Sequence, residues 1–344
     1  MTRLNFRLIS LVKLYNFMKA TKKFTAPKTI LVTGCAGFIG SNFTRVFAQQ
    51  FPKTKIIGID DLSSGRKDLI TKEVDFQQGT ILDTDFLKKV FTKYKPEYIF
   101  HFAAIPRVSY SVEHPAETSA VNIVGTIQLL EKAKDFGVKR FVFSSSSAIY
   151  GGAKILPTTE HENKPDPKSP YAMQKYAIEP FCKIFGELYG LDTVCLRYFN
   201  VFGPGQYGDS AYSTVISAWL EKMFFPVKGK KAFLEGNGSQ SRDFCYVDNV
   251  VDANIKAMLM TKKSFGEIFN IANGERTTVL EVKKLIEKFT GRKIDLELRP
   301  GRVGDVKHTH ADVSKAKKWF GYTPTVDFVT GLKRTITWFE SRQK

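Results

Sequence analysis

Short apolar runs rich in β-branched residues alternate along the chain with segments whose apolar residues recur every three or four positions. The runs lie at 29–34, 55–60, 74–78, 97–103, 139–145 and 192–199 and read as buried parallel strands. The periodic segments lie at 38–50, 83–94, 115–136 and 170–189 and read as helices. This alternation predicts an α/β fold built on a doubly wound parallel sheet, with ligands outside the carboxyl ends of the strands. From about residue 205 the pattern changes. Helices at 211–225, 248–260, 279–289 and 326–339 and a strand at 231–234 predict a smaller, mixed α/β C-terminal lobe.

One turn carries candidate chemistry. Between the first strand and first helix the chain reads Thr33-Gly34-Cys35-Ala36-Gly37-Phe38-Ile39-Gly40. Strand, glycine turn and helix together aim backbone N–H groups and a positive helix end at a pyrophosphate. The second strand, Lys55–Asp60, ends in an acid 20 residues after Gly40. A carboxylate there accepts hydrogen bonds from ribose hydroxyls and repels a 2′-phosphate, which favours NAD over NADP. The sheet is therefore expected to be of Rossmann type.

Composition changes this picture little. The chain has 344 residues, 43% hydrophobic and 25% charged, as in ordinary globular proteins. No apolar run reaches the length of a membrane span. The net charge of +18 is dispersed, without a long basic run or nucleic-acid motif, so no nucleic-acid partner is expected. Residues 1–28 hold seven Lys or Arg and no acid. Residues 1–27 read as a flexible basic leader, or else as a surface-binding amphipathic helix. Cys35, Cys182, Cys195 and Cys245 lack paired spacing and read as reduced thiols of a cytoplasmic protein. Neither they nor the histidines suggest a metal site.

The fifth strand runs into Ser145-Ser146-Ser147-Ala148-Ile149-Tyr150, and downstream lies Ser169-Pro170-Tyr171-Ala-Met-Gln-Lys175. Ser169 suits an N-cap and Pro170 the first helical position, so Tyr171 and Lys175 stand one turn apart on one helix face. A phenol titrating near 10 needs a neighbouring cation to act as a base near neutrality. With the glycine turn, this set resembles the extended short-chain dehydrogenase/reductase family in its nucleotide-sugar branch, over about residues 27–340.

The resemblance implies that Tyr171 is the general base, that Lys175 lowers its pKa and holds the nicotinamide ribose, and that Ser146 bonds the reacting sugar hydroxyl. It implies NAD contacts at Gly34, Gly37, Phe38, Ile39, Gly40, Asp60, Thr80, Ile81, Ala103, Ala104, Asn122 and Tyr198. Thr80 departs from the family, where an Asp often faces the adenine. It further implies a UDP-sugar substrate held by Ser147, Asn200, Arg242, Arg302 and Asp305. Residues 28–204 would then form the NAD-binding domain and 205–344 mainly the nucleotide-sugar lobe. Relatives also pair the two long helices into a homodimer.

The reaction follows from what is missing beside the serine. The 4,6-dehydratases of the branch carry an Asp-Glu pair there, where this chain has Ala148-Ile149. The remaining expectation is 4-epimerisation through a transient 4-keto sugar. The family's restricted glucose/galactose epimerases place a tyrosine where this chain has Thr309, and a small residue leaves room for an N-acetyl group. The surrounding phrases also look like UDP-N-acetylglucosamine 4-epimerases. UDP-glucose, UDP-glucuronate (with Arg107 as carboxylate partner) and UDP-glucuronate decarboxylation stay open. A non-catalytic NAD-binding regulator would lose Tyr171 or Lys175, and both are present.

Overall fold

Seven parallel strands make one sheet in the computed structural model, which describes residues 25–209, 213–229, 231–300 and 306–343. They are β1 (Thr29–Thr33), β2 (Lys55–Asp60), β3 (Val74–Gln78), β4 (Tyr98–His101), β5 (Arg140–Ser146), β6 (Thr193–Tyr198) and β7 (Glu267–Ile271). Their spatial order is β7-β6-β5-β4-β1-β2-β3. The order reverses between β1 and β4, which pair from Ile30 with Tyr98 to Thr33 with His101. Ligand crevices open at such a switch point.

Alternation along each strand divides the core into two layers. Ile30 and Val32 face helix α1 (Phe38–Gln50) and helix α8 (Val247–Leu259), among Phe43, Phe47 and Val250. Leu31 faces the opposite layer, with Leu87 and Phe91 of α2 (Thr84–Tyr94), Leu129 of α5 (Thr126–Asp135) and Ile178 of α6 (Pro170–Tyr189). Between α2 and α5 come α3 (Val108–Glu113) and α4 (Pro115–Ser119). The expected single helix over 115–136 is interrupted, because Ala120–Gly125 form a π-helical turn between α4 and α5.

A third core lies in the C-terminal lobe. It joins α7 (Val215–Phe224), α9 (Val279–Thr290) and α11 (Phe328–Ser341) through Trp219, Leu220, Ile286 and Leu332. The short α10 (Ser314–Phe320) instead packs Phe320 on Phe269 of β7. The lobe is not one continuous stretch after 205. The sheet takes its edge strand β7 from that region, and α8 covers the sheet beside α1. The expected leader falls largely on residues 1–24, outside the described residues.

Buried Arg140, at the start of β5, ties the sheet to α8. Its Nε and Nη2 donate to Asp192 Oδ2 at 2.8 and 2.5 Å. Its Nη1 donates to the carbonyls of Ala257, Met258 and Met260, where α8 ends and its own N–H groups have run out. Arg140→Met leaves a buried carboxylate and three carbonyls without this donor. The expected loss is about 3–5 kcal/mol of unfolding free energy, read by denaturant titration. Replacing Asp192 by Leu in the same chain should recover part of it.

Candidate active site

The switch point opens into a cleft of about 830 Å³. At one end, the glycine turn brings backbone against backbone. Gly34 has φ +72°, and a Cβ there would stand 2.6 Å from the Ala103 nitrogen just after β4. A Cβ on Gly40 would stand 2.1 Å from the Gly34 carbonyl oxygen. Both positions require glycine, and the close approach leaves a groove for a ligand. Gly37 caps α1 with no side-chain hydrogen bond, so the N–H groups of Phe38, Ile39 and Gly40 begin a helix that no side chain caps. Asp60, 8% exposed, accepts from the N–H groups of Ala36 and Leu62, both at 2.9 Å. Burial raises its pKa, against the pull of those two bonds. Thr80, Ile81, Ala103 and Ala104 complete this end. An uncapped helix start, a cradle that any Cβ would fill and a carboxylate ending β2 fit a dinucleotide.

Midway along the cleft, β5 ends in Ser144, Ser145 and Ser146, opposite the start of α6. Ser169 Oγ accepts from the Ala172 N–H at 3.2 Å, and the Tyr171 N–H donates to Ser111 Oγ at 3.0 Å. Tyr171 therefore enters the cleft from a helix fixed at its first turn. Burial raises its pKa, while a hydrogen bond with the Ser146 side chain lowers it. One turn on, Lys175 Nζ donates to the Ser144 carbonyl at 2.8 Å and lies 4.9 Å from the centre of the Phe143 ring. Burial lowers the Lys175 pKa from 10.5 to about 7. A phenol and an amine one turn apart on α6, with the Ser146 hydroxyl of the strand end bonded to the phenol, are suited to moving a proton to and from a substrate hydroxyl.

A family model described as the NAD dependent epimerase/dehydratase family matches residues 30–272. The chain belongs to this family. It is similar to a UDP-glucose 4-epimerase from Thermotoga maritima, solved with UDP-glucose, at TM-score 0.86 and 38% identity, covering 92% of this chain and 100% of that one. A UDP-N-acetylglucosamine 4-epimerase from Methanobrevibacter ruminantium, solved with UDP-N-acetylmuramic acid, matches at TM-score 0.84 and 34% identity, covering 92% and 100%. A UDP-glucuronate 4-epimerase from Thermodesulfobacterium geofontis is 35% identical over 321 residues, 90% of this chain and 95% of that one. As a member of this family, the chain is an enzyme and takes NAD.

Beyond the serines, Arg107, Ser147, Asn200, Arg242 and Thr309 line the other end of the cleft. The Asn200 backbone has φ +30°. Its amide nitrogen donates to Thr309 Oγ1 at 3.0 Å and to the Asp243 carbonyl at 3.3 Å. Thr309 Oγ1 also accepts from the Asp243 N–H at 3.0 Å. Arg242 Nη1 donates to the carbonyls of Ser241 and Lys307 at 3.1 and 3.2 Å. Arg302 and Asp305 lie outside the described residues.

Asn122 departs from expectation. It is buried on the π-helical turn, behind the cleft wall rather than on it. Its Oδ1 accepts from the Ile105 N–H at 2.8 Å, and its Nδ2 donates to the Ile105 carbonyl at 3.1 Å and to Gln174 Oε1 at 2.7 Å. It anchors the Ala103–Arg107 loop and the residue before Lys175, and acts on the site through them. Tyr198, expected at the nicotinamide, lines the cleft but bonds Asn254 at 3.0 Å and sits near Ser144.

Sequence reasoning missed two buried groups. Glu179, two turns after Tyr171 on the same face, pairs with Arg197 of β6 through bonds of 2.8 and 2.6 Å and accepts from Ser145 Oγ at 2.6 Å. Arg197 inside an apolar strand was the available signal. His101 bridges Thr33 Oγ1 at 2.7 Å and Thr126 Oγ1 at 2.9 Å. Burial, then the nearby Lys175, depress its pKa to about 3, so it is neutral here.

The Lys175 shift has a signed consequence. Between pH 7 and about 10.5 the unfolded chain keeps this proton and the folded chain releases it, so its contribution to stability rises with pH. Below pH 7 both states hold the proton and the folded state bears the cost of the buried charge. The NAD-free protein should therefore gain stability relative to Lys175→Met as pH rises from 7 to 10. Denaturant titrations of both proteins across that range check this.

Proposed function

We propose that this protein is an NAD-dependent UDP-sugar 4-epimerase whose principal substrates are UDP-N-acetylglucosamine and UDP-N-acetylgalactosamine. The observation that carries the 4-epimerase reading is the Ser146, Tyr171 and Lys175 set with no acid beside it. Ile149 is fully buried, and Ala148 only donates its N–H to Ser146 Oγ at 3.2 Å. At positions 148 and 149, a 4-keto sugar formed here would meet no carboxylate of the kind that eliminates water. The Gly34–Gly40 turn and Asp60 would hold NAD, which would supply an acceptor and donor for the carbon-4 hydride. Tyr171 takes the proton of the 4-hydroxyl, Ser146 holds that hydroxyl, and Lys175 supplies the positive charge that favours the phenolate. Once the keto sugar has turned its other face to the hydride donor, Tyr171 gives the proton back to the 4-oxygen.

The sugar assignment is supported by the wall at Thr309. Its short side chain is held at Asn200 and the Asp243 N–H, back against the wall, which leaves volume for an N-acetyl arm at carbon 2. Likeness to the UDP-N-acetylglucosamine 4-epimerase supports the same reading. Arg107 on the cleft wall favours a second one, a uronic acid whose carboxylate it would pair. Separate incubations with UDP-N-acetylglucosamine, UDP-glucose and UDP-glucuronate, followed by product analysis, decide between them. The N-acetyl pair should interconvert with the highest kcat/KM. Tyr171→Phe should lose about a hundredfold or more in turnover. Decarboxylation or net sugar reduction would overturn the 4-epimerase reading.

The protein also reads as a homodimer. Met173, Ile184, Leu188 and Tyr189 on α6 and Val124 on the π-helical turn are exposed, Leu188 by 69%. An apolar face along a long helix suits a second copy of itself, paired helix to helix. Light scattering at micromolar concentration should give twice the chain mass, and a monomer mass would count against this reading.

A further inference from the structure

The two lips of the cleft meet on one aromatic ring. From the NAD side comes the strap after β2, residues 61–69. From the lobe side comes the segment after β6, which reaches Tyr207. The Arg66 guanidinium carbon lies 3.9 Å from the centre of the Tyr207 ring, and that of Arg342, at the end of α11, lies 4.3 Å from it. The Tyr207 hydroxyl crosses back to donate to Asp68 Oδ2 at 3.1 Å. Arg66 Nη1 reaches Asp209 Oδ2 at 3.4 Å. Arg66, Tyr207 and Asp209 all line the cleft.

Each side of this contact has a firm mount. The Arg66 N–H donates to the Ala36 carbonyl at 2.9 Å, so the strap is fastened to the glycine turn itself. Arg342 holds Glu221 of α7 through two bonds of 2.8 and 3.0 Å, and Trp338 packs edge-on to Tyr207 with ring centres 5.2 Å apart. The exposed ion pairs would contribute little alone. A ring held between two guanidiniums adds cation–π attraction on a geometry that is already fixed.

We propose that Tyr207 is a cofactor-retention residue, which with Arg66 bolts the lobe to the strap across the dinucleotide end of the cleft. This rests on the NAD reading given above. A dinucleotide seated on the glycine turn can leave only if the strap lifts, and lifting it breaks the Arg66–Tyr207, Tyr207–Asp68 and Arg66–Asp209 contacts together. Epimerisation supplies the reason for such a bolt. The hydride goes out and returns within one turnover, so NAD has to stay while UDP-sugars exchange at the other end.

The test uses the full chain carrying its NAD. NAD remaining on the protein is measured against time of dilution, by denaturing release, for wild type, Tyr207→Ala, Tyr207→Phe, Arg66→Ala and the Arg66→Ala/Tyr207→Ala pair. Tyr207→Ala and Arg66→Ala should each speed NAD loss by about tenfold, equivalent to about 1.4 kcal/mol. The double variant should lose NAD no faster than about tenfold, because both changes open one contact. Tyr207→Phe keeps the ring and should fall between wild type and Tyr207→Ala. Unchanged rates would overturn the bolt, as would fully multiplied rates in the double variant. A raised KM for the UDP-sugar with NAD loss unchanged, or a lowered melting temperature of the NAD-free variants alone, would also overturn it. A wild-type chain that binds no NAD would remove the cofactor reading itself, a result distinct from wild type and variants that hold NAD equally well.

Discussion

A guanidinium and a carboxylate, 1% and 2% exposed, hold α6, the helix of Tyr171 and Lys175, against the sheet. Arg197 stands on β6 and Glu179 on α6, and the carboxylate also takes the Ser145 hydroxyl of β5. Removing two charges from water is costly, and their attraction offsets this only when geometry is good and lone pairs are satisfied. Two bonds from Arg197 and a third from Ser145 satisfy the Glu179 carboxylate, while Arg197 Nη1 has no hydrogen-bond partner and the guanidinium lies 4.6 Å from the centre of the Tyr150 ring. The bonds fix the rotation and the height of α6 relative to two strand ends. Tyr171, Lys175 and Glu179 share one face, so fixing Glu179 fixes the other two. A hydrophobic contact there could slide; a two-pronged ion pair has one register.

The same face explains why the amine is tuned as it is. Lys175 lies under the strand ends, where its amine finds one carbonyl and an aromatic face but, among the described residues, no carboxylate partner. Glu179 is the nearest acid in sequence on that face, and Arg197 already neutralises it. Burial then dominates and brings the amine into the range where it titrates near neutrality. The ion pair serves position, and burial alone lowers the Lys175 pKa.

Much of this was legible in the sequence, for identifiable reasons. β1, β2 and β5 have apolar centres, Ile30–Val32, Ile56–Ile59 and Phe141–Phe143, between polar ends, and their expected ends lie within a residue of the observed ones. The glycine turn was legible because Gly34 and Gly40 are steric requirements that leave no alternative residue. β7 was missed because Glu267 and Asn270 interrupt its apolar run. Asn270 turns out to be bonded to the Tyr150 hydroxyl and the Thr158 carbonyl, a polar joint the pattern cannot announce. The π-helical turn was missed because Val121, Ile123, Ile127 and Leu130 keep an ordinary helical spacing. Asn122 shows the general limit. Its place in the family pattern implies a cofactor contact, and only the neighbours show that its amide is already committed.

The two ends of the cleft are built in different ways, and the reaction asks for that difference. At the glycine turn, backbone meets backbone at distances that no side-chain rotation can change, so the groove there is rigid. At the sugar end, the wall is held by single side-chain bonds, Asn200 to Thr309 and Thr309 to the Asp243 N–H, on loops outside the sheet. Asp243 gathers those loops, accepting from the N–H groups of Asn273, Gly274 and Ala311 with its carboxylate wholly buried. A hydride that must leave and return needs its carrier immobile to within a fraction of an ångström. A sugar that must present both faces needs space and a yielding wall. Sheet geometry offers the first and loop-borne side chains offer the second.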